Sequence, residues 1–202
     1  MQSTTFSRRR RSVLATLLAL ALPAARQAEG QAESSVREYV DDITAASITV
    51  PQHPLVFARE RTDLAVNARD YITLAPLEIN RSGTRRYFWS GYLWSTIDRR
   101  EGEPVVAAGD QLVLLADGRP ILLAGDGRAL RDQGVGEPPI RVPVRSAKAV
   151  LFAADPETIA YAAHAAELRI DLIHVGITES FVLWKDSRSE LREFAERVGA
   201  SK

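Results

Sequence analysis

The apolar and polar positions of this chain divide it into a helical opening, a long β-prone middle and a closing stretch in which both periods occur. Ser35 and Glu38 form a capping-box pattern. Val36, Tyr39, Val40 and Ile43 follow at the i, i+3, i+4, i+7 spacing of one apolar stripe, which predicts a first helix. Ile48-Thr49-Val50 begins a β-rich stretch interrupted by Pro51 and Pro54, and Leu55 to Ala58 predicts a short strand bounded by Arg59-Glu60-Arg61. Tyr71 to Ile79 and Thr84 to Ile97 are β-prone runs joined through Asn80-Arg81-Ser82-Gly83, whose glycine is free to take positive φ, so they predict an antiparallel hairpin. Gln111 to Ala116 and Pro120 to Ala124 flank Asp117-Gly118, a dipeptide suited to two-residue hairpin turns, and predict a second hairpin.

Asp126-Gly127-Arg128 repeats Asp117-Gly118-Arg119 and reads as another tight turn. A calcium loop needs oxygen ligands at alternate positions, and here the neighbours are alanine, leucine and arginine. The glycines and prolines between Arg131 and Pro143 predict an irregular, surface-exposed connection. Ala147 to Phe152 then predicts a strand, and Asp155-Pro156-Glu157 opens a helix running to about Glu167, with an acid at the N-cap and proline at the first turn. Leu168 to Val175 and Ser180 to Trp184 alternate as strands across Gly176. A last helix, Asp186 to Val198, carries the stripe Leu191, Phe194, Ala195, Val198 ahead of Gly199. The fold class that follows is α+β: a mainly antiparallel sheet with hairpins at 71–97 and 111–124, then a β-α-β-β-α segment, with an N-terminal helix, all in one domain over 33–202.

Ahead of this domain, Arg8 to Arg11 stand directly before the apolar run Ser12 to Leu22, and small residues follow at Ala24, Ala25, Ala28 and Gly30. A basic stretch, a short apolar stretch and a small-residue site, in that order, predict a cleavable export signal over residues 1–30, cut between about Ala25 and Ala32, and a periplasmic or secreted product. The apolar run ends at Pro23, short of the roughly 20 residues a membrane-spanning helix needs, so no stable membrane span is expected after cleavage. Arg10-Arg11-Ser12-Val13-Leu14 resembles a twin-arginine leader, and a run of four arginines serves equally as the basic stretch of the general secretory route.

Charge and composition narrow the chemistry. Cleavage after Ala28 removes five of the 26 basic residues and none of the 26 acidic ones, which takes a formally neutral chain to a net charge of about −5. That balance argues against nucleic acid as a partner, since such binding rests on clustered Lys and Arg. The doublets Arg85-Arg86 and Arg99-Arg100 read as solvated strand ends. With no cysteine, the chain has no lipidation site, disulfide, iron–sulfur cluster or thiol chemistry. The three histidines, His53, His164 and His174, show no metal-ligand spacing, and neither a GxSxG elbow nor an SxxK pair occurs. No cofactor, metal site or catalytic residue is therefore assigned.

One cluster stands above composition. Five of the 14 aromatic residues fall within Tyr87-Phe88-Trp89-Ser90-Gly91-Tyr92-Leu93-Trp94. On a strand, Tyr87, Trp89, Leu93 and Ile97 share one face with Gly91 between them, and Phe88, Tyr92 and Trp94 share the other with Ser90 and Thr96. Such a strand is either core on both sides, with Gly91 permitting close backbone approach, or core on one side with Phe88, Tyr92 and Trp94 as an exposed binding platform. The platform leads to a non-catalytic interaction or accessory module of the bacterial envelope that binds an envelope protein or glycan. The alternatives are a small exported hydrolase with carboxylates drawn from Glu60, Asp63, Asp70, Asp98 and Glu101, or an exported cofactor-binding protein.

Overall fold

The run Tyr71 to Ile79 becomes the strand on which the sheet is built. In the computed structural model, which describes residues 34–97, 111–125, 128–174 and 176–199, the strands are β1 (Val36–Val40), β2 (Ser47–Pro51), β3 (Leu55–Glu60), β4 (Arg69–Arg81), β5 (Thr84–Ser95), β6 (Gln111–Ala116), β7 (Arg119–Leu123) and β8 (Lys148–Ala154). Helix α1 (Pro156–His164), β9 (Leu168–His174), β10 (Ile177–Lys185) and helix α2 (Arg188–Gly199) complete the order. The chain is thus mostly antiparallel β-sheet with two helices, an α+β arrangement. The leader, Asp98, Arg99-Arg100, Glu101 and the turn expected at Asp126-Gly127 lie outside the described residues.

All strand pairs are antiparallel, and they form the path β8-β5-β4-β3-β10-β9-β6-β7, which curls until β7 meets β8 without pairing to it. The β4–β5 hairpin closes through Ser82-Gly83 and the β6–β7 hairpin through Asp117-Gly118. All four residues have positive φ, the type I′ geometry that matches strand twist. Along its other edge, β4 pairs with β3 through residues 69–74 and with β2 through 78–80. Pro76 falls in the gap between them, where the N–H it lacks is not missed.

Inward, Phe57, Ile72, Leu74, Trp89, Leu93, Leu114, Ile170 and Phe181 pack beneath Ile159 of α1 and Leu191, Phe194 and Val198 of α2. The fully buried Trp89, Phe57, Phe181 and Phe194 each contribute on the order of 1.5–3 kcal/mol by leaving water. Outward, Ile48, Val50, Ala75, Leu77, Ile79, Phe88 and Tyr92 form a second core under Ala46, Val135 and Ile140. Both faces of the aromatic strand are therefore covered along most of its length.

Four local expectations need correction. Residues Val36–Val40 form strand β1, paired in register with β2, and not a helix. The groups of the capping box are engaged elsewhere: Ser35 Oγ donates to Glu193 of α2 and Glu38 pairs with Arg197 of α2, while Val40 and Ile43 of the apolar stripe stay exposed. Helix α1 ends at His164, three residues early, because Asp117 accepts from the N–H groups of Ala166 and Glu167 and Arg188 donates to the carbonyls of Ala165 and Ala166. The 131–143 connection is irregular as expected, yet Gln133, Val135, Pro139 and Ile140 are buried. It is fastened by Arg86, whose Nη1 donates to Gln133 Oε1 at 2.7 Å and whose Nη2 donates to the Gln133 carbonyl at 2.9 Å, so this arginine is a tether rather than a solvated strand end.

Asp41 supplies the matching tether from the β1–β2 turn. Its Oδ2 accepts from Gly136 N–H at 2.7 Å and its Oδ1 from the N–H groups of Ile43 and Thr44. Burial alone would raise its pKa, but these donors together hold the carboxyl below the usual range. A depressed folded-state pKa gives stability that is present above the unfolded value of about 3.9 and is lost as pH falls through the folded one. Asp41→Asn should therefore flatten the acid limb of the stability profile below about pH 4, read by urea denaturation at a series of pH values. Gly91 makes a second test: a Cβ there would lie 1.8 Å from the Thr73 carbonyl oxygen of β4. Gly91→Ala should destabilise the fold by about 3 kcal/mol, at the upper end for overpacking because backbone cannot move aside as a side chain can, read as a lowered denaturation midpoint.

Candidate interaction face

Strand β5 presents its aromatics as the alternation predicts, but the cover decides their availability. Phe88 and Tyr92 are only 6% and 4% exposed, and the Tyr92 hydroxyl reaches the Ile140 carbonyl at 3.4 Å. They are core side chains under the 130–147 segment, which removes them from the expected platform. Trp94 packs at the margin of that cover and is half-buried. Thr96 binds back to β4, accepting from the Arg69 N–H at 2.9 Å.

Around Trp94 the sheet assembles a row that runs onto β10. Tyr71, its cross-strand partner on β4, stacks on it with centroids 4.1 Å apart and planes 11° from parallel. The indole Nε1 donates to Thr73 Oγ1 at 3.1 Å, which fixes the ring. On the same face of β4, the Arg69 guanidinium lies 4.7 Å from the ring centroid of Trp184, in cation–π range, and donates to Glu60 Oε1 at 3.0 Å. The Glu60 carboxylate, and to a lesser degree the Tyr71 hydroxyl, raise the pKa of Arg69 and hold its charge. Trp184 occupies the β-bulge between Leu183 and Lys185 of β10 and remains 57% exposed, beside Val182 at 60%. Between Tyr71 and Val182 stands Ala58, and it and Tyr71 are buried beneath their neighbours.

This surface continues across the open half of the sheet. The outward residues of β9, β6 and β7 include Ile173, Val113, Leu115 and Leu122, which stay half-exposed or exposed, with Arg169 and Asp171 among them. Asp171 is itself buried and accepts from Ser180 Oγ at 2.7 Å, so the polar centre of the face is satisfied internally.

A charged clamp on the inner side holds the strands beneath the row. Asp70, with no exposed surface, accepts from Arg59 Nη2 at 2.7 Å and from Arg61 Nη1 at 2.9 Å. Arg59 also pairs with Glu179 of β10 and lies 5.1 Å from the Phe181 ring centroid, so the cluster ties β3, β4 and β10 together. Arg61 reaches back to Asp63, whose carboxyl it holds below the usual range. Of the carboxylates considered for hydrolysis, Glu60, Asp63 and Asp70 are thus each engaged by arginine, while Asp98 and Glu101 lie outside the described residues. An acid that must donate a proton needs a raised pKa. Among the described carboxylates that shift is found at Glu78, driven by burial and only partly offset by Arg85, and at 7% exposure it is out of reach of a substrate.

Among the described residues no group of three or more His, Asp or Glu is placed to hold a metal ion, and no helix is long and apolar enough to cross a membrane. His164 is exposed at the end of α1, and His53 pairs with Glu190. Comparison with known protein families, with characterised proteins and with solved structures finds no match to this chain.

Sequence reasoning located Trp94 but not Arg69 or Trp184. An exposed tryptophan on an alternating strand was the one available signal, since Trp184 falls out of step with its neighbours at the bulge. The clamp below the row should prove structural. Asp70→Ala leaves Arg59 buried with only Glu179 and should cost about 3 kcal/mol of stability, and a second change, Arg59→Met, should recover part of it in thermal denaturation.

Proposed function

We propose that this protein is an exported, non-catalytic interaction module of the cell envelope, and that it docks a protein partner through the outer face of β10, β4 and β5. The observation that carries this reading is the exposed Trp184, in cation–π contact with Arg69 on a sheet face that also exposes Val182 and Leu122. Tryptophan, tyrosine and arginine dominate the binding energy of protein interfaces, above all where they are held rigid before the partner arrives. The surrounding Val182, Leu115, Val113 and Leu122 favour an apolar protein ridge over a glycan, whose hydroxyls need a denser set of hydrogen-bonding side chains. Export is supported by the order of arginines, apolar run and small residues in the leader, and a partner met beyond the inner membrane follows from it.

Photo-crosslinking from position 182 in the exporting cell identifies the partner, and equilibrium binding of the purified pair tests the face. Trp184→Ala and Arg69→Ala should each weaken binding by at least about tenfold, the scale of a hot-spot residue, with thermal stability changed by less than about 1 kcal/mol. Wild-type affinity in both variants would overturn the reading.

A further inference from the structure

A cavity lies between β1, the β2–β3 turn and the 138–142 stretch. We propose that it binds a small organic anion, a carboxylate or phosphate carried on an apolar body. Its volume is about 450 Å³, within the range of about 300–1,000 Å³ typical of small-molecule sites. Its lining combines polar residues (Arg37, Gln52, His53 and Arg141) with apolar ones (Pro138, Ile140 and Val142).

The two arginine charges there are not paired with a carboxylate. Arg37 donates to the Pro139 carbonyl and lies 5.2 Å from the ring centroid of Tyr39, so its guanidinium is held in place by neutral groups. Arg141 is exposed and, among the described residues, forms no ion pair. Two guanidiniums therefore line the cavity without a carboxylate on either, and the planar fork of arginine suits the paired oxygens of a carboxylate or phosphate.

His53 is the third of these polar groups. Glu190, half-buried in the first turn of α2, accepts from the His53 N–H at 2.6 Å and lies 2.6 Å from the ring Nδ1. That double contact assigns Nδ1 to the carboxylate and ties the β2–β3 turn to α2, so the headgroup of an anion falls to Arg37 and Arg141. Gln52 is anchored on the other side, its Nε2 donating to the Ser34 carbonyl at 2.9 Å. Val142, 41% exposed beside these groups, gives the apolar body of a ligand a surface to cover.

The test uses hexanoate, hexyl phosphate and inorganic phosphate as probes of the purified chain, followed by NMR through the Arg141 Nε–H and His53 ring resonances. Saturable shifts with hexanoate or hexyl phosphate are expected, at an affinity well above that of inorganic phosphate, and the tighter of the two alkyl probes identifies the headgroup. Arg141→Ala should weaken the binding by roughly tenfold or more, as the loss of a charged hydrogen bond requires. Being on the surface, that change should leave the fold intact. Glu190→Gln should alter the His53 shifts in the free protein and leave the Arg141 contribution to binding in place. Shifts that never saturate, alkyl probes no tighter than inorganic phosphate, or an Arg141→Ala variant of wild-type affinity would each overturn the proposal.

Discussion

The close approach of β4 and β5 is the constraint on which the rest of the structure depends. With 1.8 Å between the place of a Gly91 Cβ and the Thr73 carbonyl oxygen, the two backbones touch where any other residue would hold them apart. Twelve residue pairs follow in unbroken register from Asp70–Ser95 to Arg81–Thr84, and that register assigns each aromatic of β5 to a face. Because large apolar side chains then stand on both sides, the hairpin needs a cover on both sides. The helices supply the inner one and the 130–147 segment supplies the outer.

Polar side chains decide where these covers settle. Asp41 and Arg86 fasten the irregular segment through backbone and side-chain groups that would otherwise be stranded in a buried loop. Asp117 and Arg188 do the same for the connection after α1, and Glu193 holds the start of β1 through Ser34 and Ser35, donors that keep its carboxyl below the usual range. In each case an ionised group meets several donors or acceptors at once, which favours the charged form and gives a geometry that a non-directional apolar contact cannot. Asp70 shows the buried version of the same device, one carboxylate oxygen shared by two guanidiniums.

The outer cover is shorter than the sheet, and the proposed docking surface is what it leaves bare. Segment 130–147 packs over β2, β4 and β5 but not over β10, β9, β6 and β7. Trp94 falls at the boundary, and the row from it through Tyr71 and Arg69 to Trp184 carries aromatic character from the covered half to the open one. Exposed apolar surface of this kind is disfavoured unless a partner covers it, which is why the open half and not the aromatic-rich centre is the place to look for binding.

Periodicity alone located both hairpins, the closing helix and the α+β class, because alternation and turn chemistry are local properties that the tertiary structure had no reason to override. The stripe at Val36 to Ile43 misled because so short a run does not commit the backbone to a helix, and the outcome fell to β2 and α2, which offer β1 a backbone ladder and its capping groups other partners. The same limit governs the site. Sequence places Phe88, Tyr92 and Trp94 on one face of a strand, but it cannot say how far a loop 40 residues away extends over that face, and this alone separates two core residues from one at a surface. Arg69 and Trp184 are 115 positions apart, brought within 4.7 Å by the pairing of β3 with both β4 and β10. Side-chain direction is set by the residue's own strand, whereas exposure and neighbourhood are set by whatever the rest of the chain packs on top.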